Sequence, residues 1–239
     1  LGYLVWRRWM TPHNRESEPP AGLTARLLRS GNPLLWVALL NTLVGTVDVL
    51  ILGALGSAAD VGIYGIAARL AMLTTFILLA VNSYAAPKFA VFHRNNDLAG
   101  LAHYAVRSTR LTLLIASPIL FVLVAMPKLV LSLFGPQFEQ GAWVLVILAL
   151  GQIINVATGS VGQILIMTGN EMILRSCLIA SVLITAGLHF SLIPSLGAIG
   201  AAFATMAGGV VLNILATLSV QKKLGVRVHF LAPTLQQSI

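Results

Sequence analysis

Two ionisable residues sit in stretches that are otherwise apolar. Asp48 falls within NTLVGTVDVLILGALG (Asn41 to Gly56) and Arg69 within GIYGIAARLAMLTTFILLAVN (Gly62 to Asn82). If the chain turns back near Ala58, Asp48 stands ten residues before the turn and Arg69 eleven after it. At about 1.5 Å of rise per residue, both lie about 15 Å from the tip. A charge in hydrocarbon is costly, faces the protein interior and finds a partner there. The spacing therefore predicts an Asp48–Arg69 pair in or beside a buried cavity. Two uses stay open for such a pair: it lines an ion or substrate path, or it only fixes the hairpin register. Arg69 has a further use, because a guanidinium can grip a phosphate through two parallel hydrogen bonds.

Neutral polar residues add two faces. Asn41, Gly45, Asp48 and Leu52 fall on one side of a helix. Gln152, Asn155, Gly159 and Gln163 follow at i, i+3, i+7 and i+11, with Thr158 beside them. Amides in a membrane helix can bond to neighbouring helices, at about 0.6 kcal/mol per contact. They can also line an aqueous cavity that solvates sugar hydroxyls. So many amides on one helix are hard to pair among helices alone, which favours the cavity. Gly200, Ala204 and Gly208, like Ala201, Thr205 and Gly209, repeat at four-residue spacing and read as close helix packing. His189, near the outer end of its span, reads as a satisfied interfacial residue more readily than as a proton carrier, and Asn82 and Asn213 are weaker candidates. There is no GxxxxGK[ST] phosphate loop. The seven acids form no paired-carboxylate site and no metal-ligand cluster, and the five histidines are dispersed. The expectation is a protein that is not an enzyme and has no cofactor or metal.

Composition supplies the elements that must hold these residues. The chain is 57% hydrophobic and 9% charged, where a soluble domain carries about 25% charged residues. Its apolar runs are long enough to cross a bilayer and lack the alternation of a β-barrel. Only helices or closed barrels satisfy a backbone in lipid, so the fold is an all-α integral membrane bundle. Six transmembrane helices are predicted, at about 33–55, 63–86, 111–134, 142–167, 172–193 and 198–220, with a cytoplasmic segment at 88–110. Residues 1–9 resemble the end of a preceding transmembrane helix. Residues 10–32 read as a cytoplasmic linker with a short interfacial helix, and 221–239 as a cytoplasmic tail. The abrupt start at Leu1 and the lack of a visible signal peptide suggest the C-terminal half of a longer protein. The net charge of +8 is loop bias, not a nucleic-acid surface. Lys and Arg crowd one set of connections, and the alternate connections (56–62, 135–140, 195–197) hold none. The basic side, with both ends of this half, is therefore cytoplasmic. The single cysteine, Cys177, excludes an internal disulfide.

Several segments together resemble one family. They are DVLILG (Asp48 to Gly53), DVGIYGIAARLA (Asp60 to Ala71), AVNSYAAPKFA (Ala80 to Ala90), LFGPQF (Leu133 to Phe138), GQIINVATGSVGQILIMTGNE (Gly151 to Glu171) and LIPSLGAIGAAFATM (Leu192 to Met206). In this order they are similar to the second half of polysaccharide-biosynthesis flippases of the multidrug/oligosaccharidyl-lipid/polysaccharide exporter superfamily. The resemblance implies one half of a two-bundle flippase with a central cavity and alternating access. It also implies a polyprenyl-pyrophosphate-linked oligosaccharide as cargo, a bacterial plasma (inner) membrane, and coupling to a proton or sodium gradient. Partners would be this lipid-linked oligosaccharide, membrane lipid and the missing N-terminal bundle, with the pathway's glycosyltransferases and polymerase as further candidates and no nucleic acid. Arg69 would serve the pyrophosphate or gating, Asp48 would pair with it or sense the ion, and Gln152, Asn155, Thr158 and Gln163 would face the glycan. The rivals are a cation-coupled drug exporter or peptidoglycan-precursor flippase of the same superfamily, and a non-transporting scaffold for polysaccharide assembly.

Overall fold

The structure, a computed structural model, describes residues 23–226 and residue 228. The expected helix end at 1–9, residues 10–22 of the linker and most of the tail lie outside the described residues. Within them the regular structure is helical: α1 (Leu23–Leu55), α2 (Ala58–Arg94), α3 (Leu98–Ala125), α4 (Pro127–Ser132), a 3-10 turn (Pro136–Gly141), α5 (Ala142–Thr158), α6 (Val161–Met167) and α7 (Glu171–Leu224). Four stretches are long and apolar enough to cross a membrane: Ala58–Arg94, Leu98–Ala125, Pro136–Thr158 and Glu171–Leu224. Their outer surfaces carry Phe76, Leu114, Phe121 and Leu183, each about 70% exposed. So much outward apolar surface has its natural solvent in hydrocarbon, and the protein is membrane-embedded.

Several helix boundaries differ from the expected ones, for local reasons. α1 is continuous from Leu23, with no break at 33. α2 runs through Pro87 to Arg94, and α3 starts at Leu98. The polar stretch 88–110 is therefore the paired ends of two long helices rather than a separate segment. Asp97 starts α3 by accepting the Gly100 N–H at 2.7 Å. The span expected to reach 134 ends at Ala125, and Pro127 opens α4 at the first position, where no N–H is needed. The span expected at 142–167 breaks at Gly159, whose φ of 75° favours glycine and where a Cβ would collide with Thr109 of α3.

α7 has 54 residues, but its backbone leaves the helix at Gly197 (φ 54°, ψ −131°). There the chain reverses. Ser181 donates to the Gly208 carbonyl at 2.8 Å, the Cys177 sulfur lies 3.9 Å from the Ser219 hydroxyl, and a Cβ on Gly200 would strike the Leu192 carbonyl. Partner numbers fall on one side as they rise on the other, so the two halves are antiparallel. Gly200 and Gly208 supply the close approach that their spacing predicts. The α1–α2 turn meets the break in α7. Ser57 and Asp60 form a reciprocal capping box at the start of α2. The other oxygen of Asp60 accepts the Ala198 N–H at 3.3 Å. One carboxylate thus caps two helix starts.

The core has two main apolar clusters. One holds Leu40, Phe89, Leu101, Leu165, Leu178 and Val220. The other holds Leu52, Tyr64, Leu145, Ile193 and Ala201. α1, α2, the α5–α6 segment and both halves of α7 each pass from one cluster to the other. Their polar residues fall between the two.

Candidate functional site

Between the clusters lies a cavity of about 350 Å³. α1 brings Asp48 to it, α2 Tyr64 and Thr75, and α5 Gln152 and Asn155. The first half of α7 adds Ser181 and Thr185, and the second half Thr205 and Asn213. Asp48 is buried. Its Oδ2 accepts from the Tyr64 hydroxyl at 3.0 Å and from the Thr205 hydroxyl at 2.9 Å. The two hydroxyls are 2.8 Å apart, and Thr205 also reaches the Ala201 carbonyl at 3.0 Å. Two hydroxyl protons therefore serve four contacts, and no more than two of these can be made at once. On its other side Asp48 Oδ1 faces His189 Nε2 at 3.7 Å. His189 is fully buried, and its Nδ1 is 2.9 Å from the Thr185 carbonyl oxygen.

The expected Asp48–Arg69 pair is not what the structure forms. Asp48 meets Tyr64, Thr205 and His189, while Arg69 is exposed. The cause is the centre of the turn. α1 ends at Leu55 and α2 starts at Ala58, so the hairpin centres near Gly56. Asp48 and Tyr64 are each eight residues from Gly56, and Arg69 is five residues further along α2, about 7.5 Å deeper. Rotation matters as well. Ala68 and Met72 line the cavity, and residue 69 is turned about 100° from residue 68. His189 is likewise no interfacial residue, because α1 and the α7 hairpin close over it.

The amides come together in part. Gln152 Oε1 lies 3.4 Å from the Thr74 hydroxyl, 3.5 Å from that of Thr75 and 3.3 Å from Asn155 Nδ2. Asn155 Oδ1 accepts from Asn213 Nδ2 at 3.4 Å. These are longer than the usual 2.9–3.0 Å or so, so the amides hold one another weakly and can turn to a ligand. Thr158 reaches this group through Asn213 Oδ1, at 3.0 Å, without lining the cavity. Gln163 does not line it either, because it follows the break at Gly159 and lies on α6. Asn82 bonds to Ser160 at that break. The side chain of Asn41 lies outside the described residues. Tyr64, His189 and Thr205 are the members that sequence reasoning missed. The equal distances of Asp48 and Tyr64 from Gly56 were the available signal for Tyr64.

The profile of a family described as polysaccharide biosynthesis proteins matches residues 4–143, more than half of the chain. The chain belongs to that family. The match bears out the resemblance and ties this membrane-embedded protein to polysaccharide biosynthesis. No curated protein and no solved structure matches the chain. Within the family match lie Asp48 and Tyr64; Gln152, Asn155, His189, Thr205 and Asn213 lie beyond it. The cavity is thus built from both parts of this polysaccharide biosynthesis protein.

Proposed function

We propose that the chain is one bundle of a flippase that carries a polyprenyl-pyrophosphate-linked oligosaccharide across a bacterial inner membrane. In this reading α1, α2, α3, the α5–α6 segment and the two halves of α7 are six crossings, with their basic ends in the cytoplasm. A second bundle closes the path, and rocking of the two gives alternating access. The observation that carries the reading is the cavity: amides and hydroxyls line a hollow inside an apolar bundle in a polysaccharide-biosynthesis family. Its volume is at the low end of the 300–1,000 Å³ or so of ligand pockets. That suits part of a glycan, with the rest spanning the bundle interface.

Gln152 and Asn155 offer donors and acceptors to sugar hydroxyls, Thr158 sets Asn213 beside them, and Gln163, beyond the cavity on α6, extends the path. Arg69 is exposed next to Ala68, which lines the cavity. From its own exposed face, turned away from the cavity, it can meet the pyrophosphate or gate its passage. Asp48 serves the coupling ion. The protein acts as a transporter without cofactor or catalysis, alongside the glycosyltransferases and polymerase that make and extend the repeat.

The test is complementation. The full-length gene goes into strains lacking a polysaccharide-repeat flippase, and surface polysaccharide is scored beside Asn155→Leu and Asn213→Leu variants. Restoration by the parent and loss with normally expressed variants is the expected result. Failure of the parent across several repeat structures would overturn the reading in favour of a drug exporter or a scaffold. Cysteines at 155 and 213 separate those two, since a scaffold leaves them unreactive to impermeant thiol reagents from both sides.

A further inference from the structure

His189 is fully buried, and the flippase reading gives it no task. Its surroundings fix its chemistry. Nδ1 lies 2.9 Å from the Thr185 carbonyl oxygen. A carbonyl can only accept, so Nδ1 carries the proton of that bond. In the neutral ring Nε2 is then a bare acceptor. Among the described residues it has no hydrogen-bond partner, and it looks at Asp48 Oδ1 3.7 Å away. Two bare acceptors facing each other in a buried site repel, and one proton between them turns the repulsion into attraction. Asp48 Oδ2 already takes the hydroxyls of Tyr64 and Thr205, so Oδ1 is the oxygen left for that proton.

Among the described residues, nothing else along the cavity can balance Asp48. α2 contributes Tyr64, already bonded to it; α5 contributes the neutral amides Gln152 and Asn155; the two halves of α7 contribute Ser181, Thr185, Thr205 and Asn213. Among the described residues lining the cavity, Asp48 and Tyr64 are the only titratable ones, and Arg69 is exposed elsewhere. Asp48 opens to the cavity, and His189 lies behind it.

We propose that Asp48 and His189 form a proton-binding pair that loads and unloads one proton through the cavity, and that this proton drives the flippase. The second half of the proposal rests on the flippase reading. In loading, hydronium in the cavity gives a proton to Asp48 Oδ1. That O–H bond then breaks as Nε2–H forms, leaving carboxylate against imidazolium. Unloading reverses both steps and returns the proton to water. The loaded pair attracts, and a charge-assisted N–H···O contact settles at about 2.7–2.9 Å. Loading therefore draws α1 toward the first half of α7.

The experiment is solid-state NMR of the full-length protein in bilayers, with ¹⁵N-labelled histidine. His189→Gln identifies the His189 signals, and Asp48→Asn provides a second assignment should His189→Gln fail to fold. The expected result is a His189 Nδ1 that stays protonated while Nε2 passes from bare to protonated on acidification, a passage that Asp48→Asn alters. An Nε2 signal that never changes, equal midpoints in parent and Asp48→Asn, or a shift caused by sodium at constant pH would overturn the pair. A second arm uses a fluorescent polyprenyl-pyrophosphate disaccharide in vesicles. Movement driven by a pH gradient supports the coupling, and movement driven by sodium alone overturns it. No movement under any gradient overturns the flippase reading, whereas the NMR result still decides the pair.

Discussion

The bond between Tyr64 and Asp48 can be measured, and its size reports the state of Asp48. Tyr64→Phe deletes one oxygen from a side chain that is 2% exposed, and with it the 3.0 Å bond to Asp48 and the 2.8 Å contact to Thr205. Asp48→Leu removes the acceptor while filling similar space. The coupling between the two changes comes from a double-mutant cycle, which cancels their separate costs. Neutral hydrogen bonds between membrane helices average about 0.6 kcal/mol and reach about 1.7. A bond to a charged group contributes about 1.5–3 kcal/mol. A coupling of about 2 kcal/mol or more is therefore expected if Asp48 is a carboxylate, and about 0.6 if it is protonated. Thr205 keeps Asp48 partly satisfied in Tyr64→Phe, so the single variant is expected to fold. The assay is reversible unfolding of the full-length protein, by steric trapping or detergent titration, for parent, both singles and the double. A coupling below about 0.5 kcal/mol lies within the additivity of independent sites and would refute the contact itself.

Other consequences follow from the packing. Gly200→Ala puts a methyl against the Leu192 backbone and is expected to cost about 1–3 kcal/mol, seen as a lower Tm. Gly187→Ala, with open space around it in a helix, should not lower the Tm. Asp60→Ala removes the acceptor for the Ser57 N–H, which is half of the capping box of α2, and the acceptor for Ala198, with an expected loss of about 0.5–2 kcal/mol in the same thermal assay. Arg69→Ala should alter stability by less than about 0.5 kcal/mol, because the side chain is exposed. Lost complementation by normally expressed Arg69→Ala would then place Arg69 on the transport path, and full complementation would remove it from that path.

The helical membrane fold was legible because composition and run length report the solvent of each segment directly. The boundaries were less so. Hydropathy sees where a helix meets water but not where it ends, so α2 and α3 run on into the polar stretch at 88–110. For the site, the sequence marked Asp48, Gln152 and Asn155 because polar residues are conspicuous against an apolar background. It misassigned the partner of Asp48 because a displacement of the turn by two residues, from Ala58 to Gly56, changes which residues face across the hairpin. Tyr64, His189 and Thr205 were hidden for another reason. Tyrosine and threonine are ordinary in membrane helices, and burial of His189 depends on a fold-back at Gly197 that joins distant parts of the chain. Gln163 looked like part of the amide stripe because a period extrapolates through Gly159, where the helix does not.

The length of α2 bears on how the molecule can be handled. Its 37 residues span about 55 Å at 1.5 Å per residue, against a hydrocarbon core of about 30 Å. The surplus lies at the end that carries Lys88 and Arg94, and α3 returns beside it. The tight bend at Asn95–Asp97, with Asn96 at φ 59°, is exposed at the polar end of these two helices. A rigid fusion grafted into that bend would ride outside the bilayer as a fiducial for electron microscopy. The same graft, probed with antibody before and after permeabilisation of cells, would report which compartment the bend faces.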